Sequence, residues 1–220
     1  MRRELMASLL VSGGLLAAAC GPGSSGTSSF QPGGGSPTPA SPAATSSQPG
    51  TDSLVMPPFG KNARIVMTPW LPASASEAPA VITAKNFLLA VLYADYTGGK
   101  DHRWLAYVGS SLVRNGMTST LAAPNVTTES FRGTIRIWRM NAVMGTYGKN
   151  TISVTECFDS ARALNTSLST GKVLPAGQQN TTDQNYYSNT DVLARNGSGQ
   201  WTVISIPPTI YYPEALECKP

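Results

Sequence analysis

The chain has 220 residues, enough for one ordinary domain with segments to spare. Charged residues make up 13% of it and the formal charge is +4, two of the positive charges being Arg2 and Arg3 at the N-terminus. The remainder is close to balanced, which argues against a nucleic-acid partner, since such a partner needs a concentrated basic face.

Met1-Arg2-Arg3 is a short basic start, and Leu5 to Ala19 is a run of apolar and small residues. That run is too short for a bilayer core, which needs about 20 residues. Its layout is that of a secretory signal over 1–19: a basic region, an apolar region, then small residues before a cut. Leu15-Leu16-Ala17-Ala18-Ala19 runs directly into Cys20 and Gly21. This resembles a bacterial lipobox, with Ala17 where Leu is usual. The resemblance implies that Cys20 receives a diacylglycerol, becomes the mature N-terminus, and anchors the chain at the outer face of the cell membrane. Two acyl chains hold stably where one is marginal.

Residues 20–53 continue as Gly, Ser, Pro, Thr, Ala and Gln, with Asp52 the only charge and Phe30 the only aromatic side chain. Nothing there offsets the entropy of ordering, so the segment reads as a flexible linker stiffened locally by Pro37-Thr38-Pro39. About 35 such residues typically span ~30–35 Å.

From Leu54 the composition changes, and 54–220 is expected to be the extracytoplasmic domain. Val55 to Pro72 looks extended, with prolines blocking helix. Ser76 is the expected N-cap, with Glu77 in the first turn, of a helix running to about Tyr96. Val81, Ala84, Leu88, Val91 and Leu92 form its apolar stripe, and Gly98-Gly99 ends it. Asp101 can cap a short helix carrying Trp104, Leu105 and Tyr107; Leu112 to Leu121 is a weaker helix interrupted by Gly116. After Pro124 the period becomes two. Arg132 to Met144 reads as a long strand whose phase slips near Trp138-Arg139, as a bulge would make it do. Ile152, Val154 and Phe158 alternate along a second strand, and Ser160 to Asp183 reads as a polar excursion. Tyr186 to Ala194 and Gln200 to Ile206 are two more strands, joined by Asn196-Gly197-Ser198-Gly199. The pattern is α+β, with N-terminal helices packed on a curved antiparallel sheet of about four strands.

From about Val66 to Cys218 the chain resembles the cone-shaped nuclear-transport-factor-2-like domains of actinobacterial lipoproteins. The residues carrying the likeness are Asp95-Tyr96-Thr97-Gly98-Gly99 at the helix end, the strand Val154-Thr155-Glu156-Cys157-Phe158-Asp159-Ser160, Thr170-Gly171-Lys172, Gly199-Gln200-Trp201-Thr202-Val203, and a cysteine near the C-terminus. The resemblance implies a fold more than a function. Cone-fold enzymes of the ketosteroid isomerase and SnoaL types line the cone with carboxylates, Tyr or His, while some channel proteins of export and conjugation machines share the fold.

With Cys20 acylated, Cys157 and Cys218 remain as an even pair in an oxidising compartment, and a disulfide is expected. The alternative is two free thiols, with Cys157 buried as a small hydrophobe. No metal or cofactor motif is present, and neither a Gly-x-Ser-x-Gly elbow nor His-Glu-x-x-His occurs. His102, the only histidine, reads as a solvated first-turn residue. Two acids fall on otherwise apolar faces. Asp95 continues the helix stripe, and Glu156 shares parity with Ile152, Val154 and Phe158. Each is a candidate base of raised pKa, or a structural partner of Arg136 or Arg139, or a rim residue in water. Arg132, Arg136 and Arg139 mark either an anion site or a solvated strand face. Tyr186, Tyr187, Trp201, Tyr211 and Tyr212 are core and sheet packing with a share left for a contact face.

Three functions compete: a non-catalytic binding or assembly module, taking a protein partner or a small apolar ligand; a cone enzyme using Asp95 or Glu156; and a structural wall protein. An accessory role in an export or conjugation machine is a version of the first, and a homodimer through the open sheet face is compatible with any of them.

Overall fold

A chain with one nearly all-apolar helix and several long alternating runs must lay that helix on a sheet, since neither buries its face alone. The computed structural model describes residues 59–67, 74–181, 183–215 and 218. The signal segment, Cys20 and the linker lie outside the described residues, as do the side chains of Arg139 and Asp183. The elements are β1 (Ala63–Met67), α1 (Ala78–Tyr96), a 3₁₀ turn (Arg103–Tyr107), α2 (Ser111–Leu121), α3 (Pro124–Thr128), β2 (Glu129–Met144), β3 (Thr151–Ser167), β4 (Tyr186–Arg195), β5 (Trp201–Ser205) and β6 (Ile210–Tyr211). One sheet runs in the order β1-β2-β3-β4-β5, with β6 beside β4. Every pairing is antiparallel except β1 on β2.

The α+β architecture, helices on a mostly antiparallel sheet, is the one the sequence predicts. Two strands beyond the expected four complete it, and β1 precedes the helices. The α1 helix is buried almost all round. Ala80, Val81, Ala84, Phe87, Ala90, Val91 and Ala94 pack with Trp104, α2 and the β3–β5 side, while Leu88 and Leu92 pack with Phe131, Ile135, Ile137 and Phe158. Its alanines let neighbouring elements come close on one side, and its leucines fill the other. By length and composition alone α1 could cross a membrane; its burial makes it the core helix of this domain.

The helix starts without the expected cap. Glu77 is the cap residue and makes no side-chain bond, Pro79 occupies the first turn, and the Ser76 hydroxyl bonds that of Ser74 instead. Proline in the first turn removes one of the N–H groups a cap would serve. The end is as expected. Gly98 N–H donates to the Asp95 carbonyl and Gly99 N–H to that of Ala94, a Schellman pair with both glycines at positive φ. Asp101 accepts the first N–H of the 3₁₀ turn and holds the Arg103 guanidinium at 2.7 Å. Ser110 caps α2, which runs through Gly116 without a break. The period of two does not begin directly after Pro124, because α3 intervenes.

The slip at Trp138/Met140 is a bulge, and a second lies at Thr134/Arg136. Bulges bend and twist a long strand. The first third of the expected polar excursion is strand, since β3 runs on to Ser167. Its polar residues bond each other instead of water. Gln179 accepts the Asn165 N–H at 2.7 Å and donates to the carbonyls of Asn165 and Leu174, and the Asn165 amide donates to the Gln178 carbonyl. Asn196 closes the β4–β5 hairpin by accepting from Ser198 and Gln200. Cys157 and Cys218 are joined as a disulfide, Cα atoms 5.1 Å apart, packed with Ala215 and Trp138.

Candidate functional site

Alternation sends the even residues of β3 and the odd residues of β4 to the helix side. Ile152, Val154, Glu156 and Phe158 stand opposite Leu193, Asp191, Asn189 and Tyr187. The helices do not fill all of the space over this face. A cleft remains between the C-terminal half of α1 (Val91, Leu92, Asp95), α2 (Met117, Thr120, Leu121) and a far wall carrying Gln184, Tyr187, Thr209 and Tyr211. Its cavity volume is ≈ 50 Å³, and the atom-free space reaches ≈ 600 Å³ only when the open solvent of its mouth is counted. Its lining is mostly apolar, with hydroxyls, an amide and one carboxylate interspersed. An aromatic series backs the far wall: Phe158 stacks on Tyr187 with centroids 4.6 Å apart, and Tyr187 meets Tyr211 at 5.7 Å.

Asp95 is half-buried in the wall of this cleft, where the helical stripe placed it. Glu156 is fully buried and lies behind the wall. Its register puts it opposite Met140 on β2 and Asn189 on β4, whereas Arg136 stands opposite Asp159 and is exposed. Pairing with Arg136 is therefore excluded, and so is a place at the rim in water. Arg139's side chain lies outside the described residues. The partner of Glu156 is another acid. Asp191, one alternate residue beyond Asn189 and also buried, faces the same side. Burial pushes the Glu156 carboxyl well above the ordinary range, and the charge of Asp191 pushes it the same way. Burial also pushes Asp191 up to about 8. Burial thus favours the protonated, neutral form of each carboxyl. Glu156 Oε1 is buried with no hydrogen-bond partner.

Asn189 sits across from Glu156, and the Thr209 hydroxyl, which lines the cleft, donates to Asn189 Oδ1 at 2.6 Å in a buried bond. The structure thus brings Asp95 and Glu156 to one region of the inner face, one in the cleft and one behind it. Asp191 was missed in the sequence, though the signal was there: it shares parity with Leu193 along the strand expected over Tyr186–Ala194. His102 is exposed beside the 3₁₀ turn and does not line this cleft. Among the described residues no His, Cys, Asp and Glu group could hold a metal ion.

No protein-family profile matches the sequence, and no curated protein sequence matches it. Solved structures do resemble it. One is ActVI-ORFA from Streptomyces coelicolor, 14% identical, matched over 63% of this chain and 98% of that one with a TM-score of 0.38. Another is a candidate ketosteroid isomerase from Shewanella frigidimarina, 15% identical, over 60% and 95% of the two chains, TM-score 0.27. The fold of the present chain stands on its own topology, and the site on its own residues.

Proposed function

We propose that this chain is a membrane-anchored extracytoplasmic lipoprotein whose domain binds a small, mostly apolar molecule in the cleft between α1, α2 and the β4–β6 wall. The anchor reading is supported by the basic start, the apolar run and the small residues before Cys20. The binding reading is carried by one observation: a mostly apolar cleft, open at its mouth, with Asp95 and Thr209 in its wall. Apolar lining supplies affinity and a few polar groups orient the guest. Non-catalytic binding is favoured because the carboxyls of Glu156 and Asp191 lie behind the wall. Burial favours their neutral form.

The test is saturable uptake of a neutral apolar fluorophore such as 1-aminoanthracene. Leu121→Trp, which fills the cleft, is expected to abolish the fluorescence gain while leaving the thermal transition in place. Absence of saturable uptake by the wild type would remove the binding reading.

A second reading rests on Asp95 itself. A carboxylate in an apolar cleft can take a proton from carbon beside a carbonyl. It predicts exchange of such protons of a bound ketone for deuterium, lost in Asp95→Asn. Exchange at the uncatalysed rate in the wild type would dismiss it.

A further inference from the structure

The second cluster of chemistry lies on the opposite face of the sheet and has no part in the cleft. Arg64 on β1 stands beside Thr134 on β2, and Arg162 on β3 stands beside the same residue from the other side. Arg132 and Arg136 are its alternate neighbours along β2. All four arginines are exposed, while the intervening Phe131, Ile135 and Ile137 are buried on the helix side. Sheet spacing puts every one of the four backbone positions within about 7 Å of Thr134. The composition of the chain hides this gathering, because it depends on the register of three strands. Leu164, 40% exposed, lies opposite Arg132, and Asp159, opposite Arg136, is the acid that the pairing brings into the group.

We propose that this face docks on the anionic phospholipid headgroups of the membrane that holds the chain. The partner follows from charge and from where the rest of the chain enters. Guanidinium groups match phosphate in geometry and lose less hydration than ammonium groups do. Four of them on a sheet face present a broad array suited to a surface of many phosphates. The N-terminal segment outside the described residues leads into Phe59, four residues before the strand that bears Arg64. The linker expected from the sequence over residues 20–53 would leave this face free to reach the bilayer. The docking rests on the anchored-lipoprotein reading for its place in the cell, but the affinity of the face for anionic lipid does not need the anchor.

The experiment uses the mature chain from residue 20 with Cys20→Ser, so that no acyl group contributes. Partition is measured onto phosphatidylglycerol–phosphatidylcholine vesicles and onto pure phosphatidylcholine vesicles. Binding to the mixed vesicles alone, lost at high salt, is expected. Each charge removed is expected to cost about fivefold, so R64Q with R162Q together cost about 25-fold, whereas the lysine pair R64K with R162K keeps most of the partition. D159N is expected to strengthen binding, an effect that loss of folding cannot imitate. Equal partition onto both vesicles, or lysine variants as weak as the glutamine ones, would overturn the proposal. So would retention on polyglutamate without vesicle binding, which would assign the face to an acidic protein. Failure of the anchor reading would show separately, as an unacylated N-terminus in the mass of the membrane-extracted protein.

Discussion

At the scale of single residues, the acid pair sets the expected pH behaviour. A carboxyl whose folded-state pKa is raised gives its full stability only while it is protonated in both states. That holds below its ordinary value of 3.8, and stability falls as pH rises towards the folded value of about 8 for Asp191. Wild-type stability against denaturant is therefore expected to decline from mildly acid to mildly alkaline pH. Asp191→Asn keeps the shape and removes the charge, so its decline across that window should be shallower than the wild type's, the contribution of Glu156 remaining, and its stability should exceed the wild type at the alkaline end. Parallel curves for the two proteins would mean that Asp191 ionises in the folded state at no cost. Asp95 and Glu156 were legible as inward-facing acids because stripe and parity are local properties. That Glu156 faces Asp191 instead of an arginine was not, since it depends on which strand comes to lie beside β3 and in which register.

At the scale of elements, β2 shows what alternation reveals and what it hides. The slip at Trp138 could be read from the side chains because it shifts the apolar phase. The kink near Gly133 could not, because glycine carries no phase. Gly133 sits at φ 97° beside the crossing of β1, donates its N–H to the Asn62 carbonyl, and leaves no room for a Cβ against the Arg162 carbonyl. Gly133→Ala is expected to cost roughly 2 kcal/mol or more in denaturant unfolding. A loss near zero would show that the strand relaxes there freely. The second half of β3 was hidden for a different reason. Its buried Asn165 and Thr166 are polar, and the bonds to Gln178 and Gln179 that make their burial tolerable come from a loop more than ten residues away. The start of α1 was misplaced because Ser76 is a good cap by type, while Pro79 lessens the need for one.

At the scale of the whole molecule, the disulfide between Cys157 and Cys218 spans 61 residues and pins the tail to the middle of the sheet. By loop-closure entropy its removal is expected to cost about 4 kcal/mol. The measurement is equilibrium unfolding of the Cys157→Ala, Cys218→Ala protein against the wild type, and a change below about 1 kcal/mol would mean that the unfolded chain is already compact. Class and helix-then-sheet order were legible because periodicity reports them directly. The parallel strand β1 and the short β6 escaped because five and two residues carry too little pattern to read.

The position of β1 has a mechanical consequence. Among the described residues it is the strand nearest the N-terminus and has a hydrogen-bonded neighbour on one side only, and its partner on β2 lies 70 residues further along the chain, Ala63 beside Gly133. Force transmitted through the N-terminal segment reaches β1 before any other element, while the tail at the other end is locked by a covalent bond. A pull on the N-terminal side therefore loads a strand that can peel without unseating the disulfide-bound sheet, so β1 acts as a fuse at that end of the domain.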